Sequence, residues 1–229
     1  MSSSFTIPID VGSIDSISAV IDEPEGEARD TAFLFAHGAG APFDSEFMIR
    51  IAEELTGRGF ALMRFQYPYM ERARRDSRRR PPDRRPVLES AHRAALTRAR
   101  EHFAGRRLVL MGKSLGGRIG SYLAAEGEEC AGLVFLGYPL HPPGKPDRPR
   151  TDHFPDLRVP TLFVQGTRDK LCDLELLDGA LKTFAGTTTL VTIEGGDHGF
   201  KVPKKYGGQG CPPYDELAAH VEEWIAGLG

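Results

Sequence analysis

Three cysteines, Cys130, Cys172 and Cys211, are all that the 229 residues contain. They are odd in number, far apart and without C-x-x-C spacing. That excludes a disulfide framework and a zinc site, and it makes a reducing cytoplasmic location the expectation. The seven histidines include no H-E-x-x-H pair, so no metal ligand set and no metalloprotease is expected. No run approaches the roughly 20 apolar residues that cross a bilayer, so no membrane association is expected. The opening residues lack a basic stretch followed by an apolar one and do not read as a secretory signal. An excess of one charge is missing too: 29 basic residues against 32 acidic leave a net −3, which offers nucleic acid no general attraction. Glycine (26) and proline (17) are plentiful but follow no G-X-Y period, so they mark turns and not collagen.

What is present reads as one domain over residues 1–229, since α/β folds of this length usually form a single unit. Short runs rich in β-branched and aromatic residues, bounded by Gly, Pro or Asp, predict strands at 16–21, 31–35, 61–65, 108–111, 132–136, 161–165 and 188–193. Between them, apolar residues at helical spacing predict helices over 45–56, 87–103, 116–125 and 214–225. The alternation predicts a largely parallel, twisted sheet covered by helices on both faces, with its site at the carboxyl ends of the strands. The first two extended runs have no helix between them and predict an antiparallel N-terminal edge. Residues 71–86 hold eight arginines against three acids, with Pro81 and Pro82 among them, which predicts a solvated loop or short irregular turn. A second proline-rich stretch, 138–150, follows another strand, and both stretches are placed to rim a site.

The most informative residues are Gly112-Lys113-Ser114-Leu115-Gly116, which join a predicted strand to a predicted helix. This is G-x-S-x-G in the setting where it matters. A serine on a sharp strand-to-helix turn exposes its hydroxyl above the sheet, and the flanking glycines remove the Cβ atoms that would obstruct it. The helix start also aims N–H groups and a positive dipole end at developing negative charge. A P-loop would need glycine at 107, where the chain has Arg107, and a phosphate-wrapping loop where it has apolar Leu108 to Met111. No nucleotide or other cofactor is therefore implied.

A serine hydroxyl needs a base, and the base needs an acid to fix its tautomer. Asp169, in Gln165-Gly166-Thr167-Arg168-Asp169, and His198, in Gly195-Gly196-Asp197-His198, each follow a predicted strand. Either alone would read as an ordinary loop residue, but together they give the order serine, aspartate, histidine on successive loops. An oxyanion hole requires two backbone N–H groups. Leu115 supplies one, and Ala39, in the bend His37-Gly38-Ala39-Gly40, is the expected second. His37 is expected to fix this bend and not to transfer protons.

These residues resemble the α/β-hydrolase superfamily, especially small dienelactone-hydrolase-like proteins. The resemblance is carried by residues 37–40, 112–117, 137–146, 165–169 and 196–198. It lies nearest to the hydrolase-like domain shared by a testis-expressed protein and a subunit of the non-specific-lethal chromatin complex. The resemblance implies an α/β-hydrolase fold and a serine hydrolase; the sheet, its helices and the connecting turns are expected to consume nearly all 229 residues, leaving no separate cap domain. Dienelactone hydrolases proper use cysteine where this chain has Ser114, and some chromatin-branch relatives act as scaffolds.

Tyr67 and Tyr69, with Met70 and Tyr138, are candidates for the substrate pocket or for packing beneath the rim. Cys172 reads as a small buried hydrophobe. The sequence thus predicts a hydrolase of small carboxylic esters or thioesters acting through an acyl-enzyme. The alternative is an interaction module with a residual triad, using the Arg72–Arg85 loop as a protein-binding surface.

Overall fold

In the computed structural model, which describes residues 2–11 and 13–228, the strands are β1 (Ser2–Val11), β2 (Ile14–Asp22), β3 (Thr31–Ala36), β4 (Ala61–Phe65), β5 (Arg107–Lys113), β6 (Gly132–Leu136), β7 (Thr161–Gly166) and β8 (Thr188–Ile193). The helices are α1 (Glu46–Gly57), α2 (Pro68–Arg75), α3 (Arg85–His102), α4 (Leu115–Ala125), α5 (Leu174–Leu181) and α6 (Tyr214–Ala226). The strands form one sheet in the order β1-β2-β4-β3-β5-β6-β7-β8. From β4 to β8 neighbouring strands run parallel, as in the expected α/β-hydrolase fold.

Strand periodicity sorts the core onto the two faces of the sheet. In β3, Phe33 and Phe35 face the α1 and α6 side, meeting Met48, Ile51, Leu217 and Val221. The alternate residues Ala32, Leu34 and Ala36 face the other side, with Leu88, Ala91, Ala95 and Leu96 of α3 and Ile119 and Leu123 of α4. The central strands are buried on both faces, which is why they read as continuous apolar runs. No described helix is long and apolar enough to cross a membrane.

Three local expectations need correction. The antiparallel edge exists, but the runs around 16–21 and 31–35 are not paired. β2 pairs with β4 and with β1, because β4 inserts between β2 and β3. The opening segment is itself a strand. The first third of the arginine-rich stretch belongs to α2, which starts on Pro68, whose missing N–H costs nothing at a first helical position. Its acidic residue Glu71 accepts the Ser18 N–H of β2 at 2.6 Å, which anchors the helix to the sheet.

Candidate active site

β5 delivers Ser114 to the sheet's carboxyl end, where the backbone must turn abruptly into α4. Ser114 takes φ 50° and ψ −112°, a region that non-glycine residues rarely occupy. The turn is tight enough that a Cβ on Gly112 would lie 2.0 Å from the Gly117 nitrogen, and one on Gly116 2.3 Å from the Ala36 oxygen. The glycines therefore permit both the turn and the approach of α4 to β3.

Above the turn, Ser114 Oγ lies 2.8 Å from His198 Nε2, and His198 Nδ1 lies 2.7 Å from Asp169 Oδ2. With Nδ1–H donating to the carboxylate, Nε2 is left to accept the serine proton. The Asp169 side chain is fully buried, and its second oxygen accepts the Leu171 N–H at 2.8 Å, so both oxygens are engaged. The loops after β7 and β8 are joined directly. Arg168 N–H donates to Gly196 O at 2.8 Å, and Gly195 N–H donates to Thr167 Oγ1 at 2.8 Å. Asp197 closes the histidine loop from inside by accepting the Gly199 and Lys201 N–H groups. Lys113, the variable residue of the serine motif, donates its ammonium to His198 O at 2.6 Å. Burial lowers its pKa to about 8, against the pull of Asp169 and Asp197.

The loop after β3 brings Ala39 beside Ser114. A Cβ on Gly38 would touch Ser114 Cβ at 3.5 Å, so this strand of backbone runs against the serine. His37 holds it there: its Nδ1–H donates to Gly38 O at 2.7 Å while Nε2 accepts the Tyr67 N–H at 3.0 Å. Full burial lowers the His37 pKa to about 4, which keeps the ring neutral and suited to this donor–acceptor role. Leu115 lies at the first position of α4, where the N–H has no intrahelical acceptor.

The predicted pocket tyrosines lie elsewhere. Tyr67, Tyr69 and Tyr138 are fully buried and line none of the hollows around Ser114. Tyr67 bonds to His92 Nδ1 at 3.0 Å, Tyr69 donates to Gly38 O at 3.1 Å, and Tyr138 donates to Arg150 O at 2.9 Å. The Tyr69 and Tyr138 hydroxyls hold rim loops from below and the Tyr67 hydroxyl ties to α3, while all three rings are consumed by the core on that face. The walls are instead residues read from sequence only as helix or loop. A hollow of about 590 Å³ beside Ser114 and His198 is lined by Phe47, Met48, Lys113, Pro212 and Tyr214 among others. A second, of about 350 Å³, also borders Ser114 and is lined by Leu115 and the start of α4. Phe47 and Tyr214 sit at helix N-termini, where a helical apolar stripe extends beyond the core, and that was the available signal. Cys172 is buried, and burial pushes its thiol up to about 12.

Fold and site together define the class, that of α/β proteins with a mostly parallel sheet and a strained serine turn at its carboxyl end. The chain matches a family described as an alpha/beta hydrolase domain over residues 29–226, and it belongs to that family. Among solved structures it is similar to a dienelactone hydrolase from Anabaena variabilis, with TM-score 0.74, 23% identity, and 98% of this chain and 97% of that one covered. It is also similar to an α/β serine hydrolase without a lid from Xanthomonas campestris, with TM-score 0.71, 20% identity, and 97% and 94% covered. A third similar structure is Est1E from Butyrivibrio proteoclasticus, with TM-score 0.70, 16% identity, and 98% of each chain covered.

Proposed function

We propose that this chain is a serine hydrolase of small carboxylic esters or thioesters, working through an acyl-enzyme on Ser114. The observation that carries the proposal is the continuous chain of bonds from Ser114 Oγ through His198 to a buried Asp169, at 2.8 and 2.7 Å. In the proposed reaction, Oγ attacks the ester carbonyl as its proton passes to His198 Nε2. Asp169 stabilises the resulting imidazolium and holds its tautomer. The N–H groups of Ala39 and Leu115 receive the oxyanion. His198 then protonates the leaving oxygen, and water, deprotonated by the same nitrogen, releases the acid.

The α/β serine hydrolase and the dienelactone hydrolase among similar structures are consistent with this chemistry. Within its family, we propose that the chain lies nearest to the hydrolase-like domain of the testis-expressed and chromatin-complex proteins. A module that only binds partners has no use for an imidazole oriented by a buried carboxylate against a strained serine, so the arrangement supports catalysis over a scaffold role. Labelling with a fluorophosphonate, located by mass spectrometry of the digested protein, tests it. Ser114 is expected to be the modified residue. Labelling undiminished in Ser114→Ala would overturn the assignment.

A further inference from the structure

The two hollows that meet at Ser114 differ in chemistry. The larger carries His198 and is walled by Phe47, Met48, Pro212 and Tyr214. Its ammonium, Lys113, is occupied by the His198 carbonyl. The smaller lacks His198; it shares Ala39 with the larger and adds Leu115, the other proposed oxyanion donor, and three arginines, Arg85, Arg118 and Arg150.

Those arginines are not equivalent. Arg85 is paired with Glu89 and Glu126 and lies over the Tyr122 ring at 3.8 Å. The one carboxylate lining the hollow, Asp83, is paired with Arg72. Arg118 and Arg150 have no ion pair among the described residues, although most arginines of this chain do. Arg118 Nε is buried without any hydrogen-bond partner. Among the described residues, the only side-chain bond of Arg150 is a long one, 3.5 Å to Pro139 O. Burial first, and then the charge of Arg118, lower the Arg150 pKa, so the two guanidiniums feel each other without an anion between them.

Their placement is fixed from the backbone. Arg118 N–H donates to Ser114 O at 3.1 Å, which sets Arg118 one helical turn beyond the serine. Arg150 is clamped at both ends of its backbone, its N–H donating to Leu140 O at 2.7 Å and its carbonyl receiving the Tyr138 hydroxyl at 2.9 Å. Two partly buried guanidiniums without a carboxylate, held beside a nucleophile, are suited to a substrate anion.

The direction of the substrate follows from the proton. His198 must protonate the leaving oxygen, so the alcohol lies in the hollow that contains His198, and the acyl group extends into the other. Resting on the serine-hydrolase reading above, we propose that Arg118 and Arg150 bind a terminal carboxylate on the acyl group, making half-esters of short dicarboxylic acids the preferred substrates. Ser114 Oγ forms the bond to the ester carbon, the bond from that carbon to the alcohol oxygen breaks, and the serine proton leaves with the alcohol through His198. Water then returns a free dicarboxylate.

The test compares benzyl hydrogen glutarate with benzyl pentanoate, which share an alcohol and differ in whether the acyl chain ends in carboxylate or methyl. The expected result is a kcat/KM ratio of about tenfold or more in favour of the glutarate, the factor of one charge-assisted hydrogen bond. Arg118→Gln and Arg150→Gln should each reduce the ratio, and together bring it to about one. Arg78→Ser with Arg79→Ser, in the exposed part of the arginine-rich stretch, should leave the ratio in place. Binding of the same two esters to Ser114→Ala, followed by calorimetry, reads the subsite without turnover. A binding preference for the glutarate that disappears with Arg118→Gln and Arg150→Gln supports the subsite, even if neither ester is hydrolysed by the wild type and the hydrolase reading fails. Equal binding and equal turnover of both esters would overturn the subsite while leaving the hydrolase reading standing. A preference that persists in the double Gln variant would also overturn it.

Discussion

His198 is held from three directions: Asp169 at Nδ1, the Ser114 hydroxyl at Nε2, and the Lys113 ammonium at its own carbonyl. Proposed roles follow from these contacts and differ in expected cost. Ser114→Ala and His198→Ala should each remove nearly all ester turnover, by roughly 10⁴-fold or more, while Asp169→Asn should lose somewhat less, since the carboxylate orients the base and does not attack. Steady-state kinetics on folded variants checks this, and near-normal kcat in His198→Ala would place the base elsewhere. That these three residues come together could be read from the sequence because each lies on a loop at the carboxyl end of a strand, among glycine-rich neighbours. The placement of Tyr67, Tyr69 and Tyr138 could not. Whether an aromatic at a strand end faces a cavity or the core depends on side-chain direction, and only the packing around His37, His92 and Arg150 decides it.

Among the elements, the β5–α4 turn concentrates the geometric demand. Gly112→Ala and Gly116→Ala both drive a methyl into backbone, at 2.0 and 2.3 Å, and backbone cannot rotate away as a side chain can. Each should destabilise by about 3 kcal/mol or more, at the upper end for single substitutions. Gly57→Ala, where nothing lies within 4 Å, is the control. Urea midpoints check the series, and an unchanged midpoint in Gly116→Ala would contradict the packing of α4 on Ala36. Elements whose apolar residues are regularly spaced and buried were readable from sequence. β1 was not, because only Ile7 of its ten residues is buried, and an exposed edge strand leaves little hydrophobic pattern. α2 was hidden for a related reason, since its charged residues outweigh the anchors Pro68 and Tyr69.

Across the whole molecule, the arginine-rich stretch is less bare than its sequence suggests. Arg72, Arg74, Arg75, Arg80 and Arg85 meet carboxylates, several of them from outside the stretch, namely Asp44, Glu89 and Glu126. Composition reports the local surplus but not which distant acids fold back onto it. Stability carries a second molecule-wide signature. Burial lowers the pKa of His37 to about 4, of His92 to about 3 and of His153 to about 4. Between the unfolded value of about 6.5 and these folded values, the unfolded chain takes up protons that the native chain refuses. Stability is therefore full above about pH 6.5 and falls as pH drops toward 4, with each histidine contributing up to ~1.4 kcal/mol per pH unit. Urea midpoints from pH 7 to pH 5 should decline, and a flat profile would mean that these rings are protonated in the native state. Substrate range belongs to this scale as well. No described element stands over the hollows as a cap, so p-nitrophenyl butyrate should be turned over faster than the palmitate, whose chain finds no enclosed tunnel. Faster palmitate turnover would contradict an uncapped site.

The sheet ends at β1 on one side and β8 on the other. A strand with one unpaired margin is a template for another copy of itself, and its sequence must discourage that. β1 carries Pro8, which withholds a backbone donor, and the register shifts between Pro8 and Val11. Pro8→Val would restore the donor while keeping the residue apolar. The variant should self-associate more than the wild type as concentration rises, a change that light scattering would follow, with no loss of fluorophosphonate labelling at Ser114.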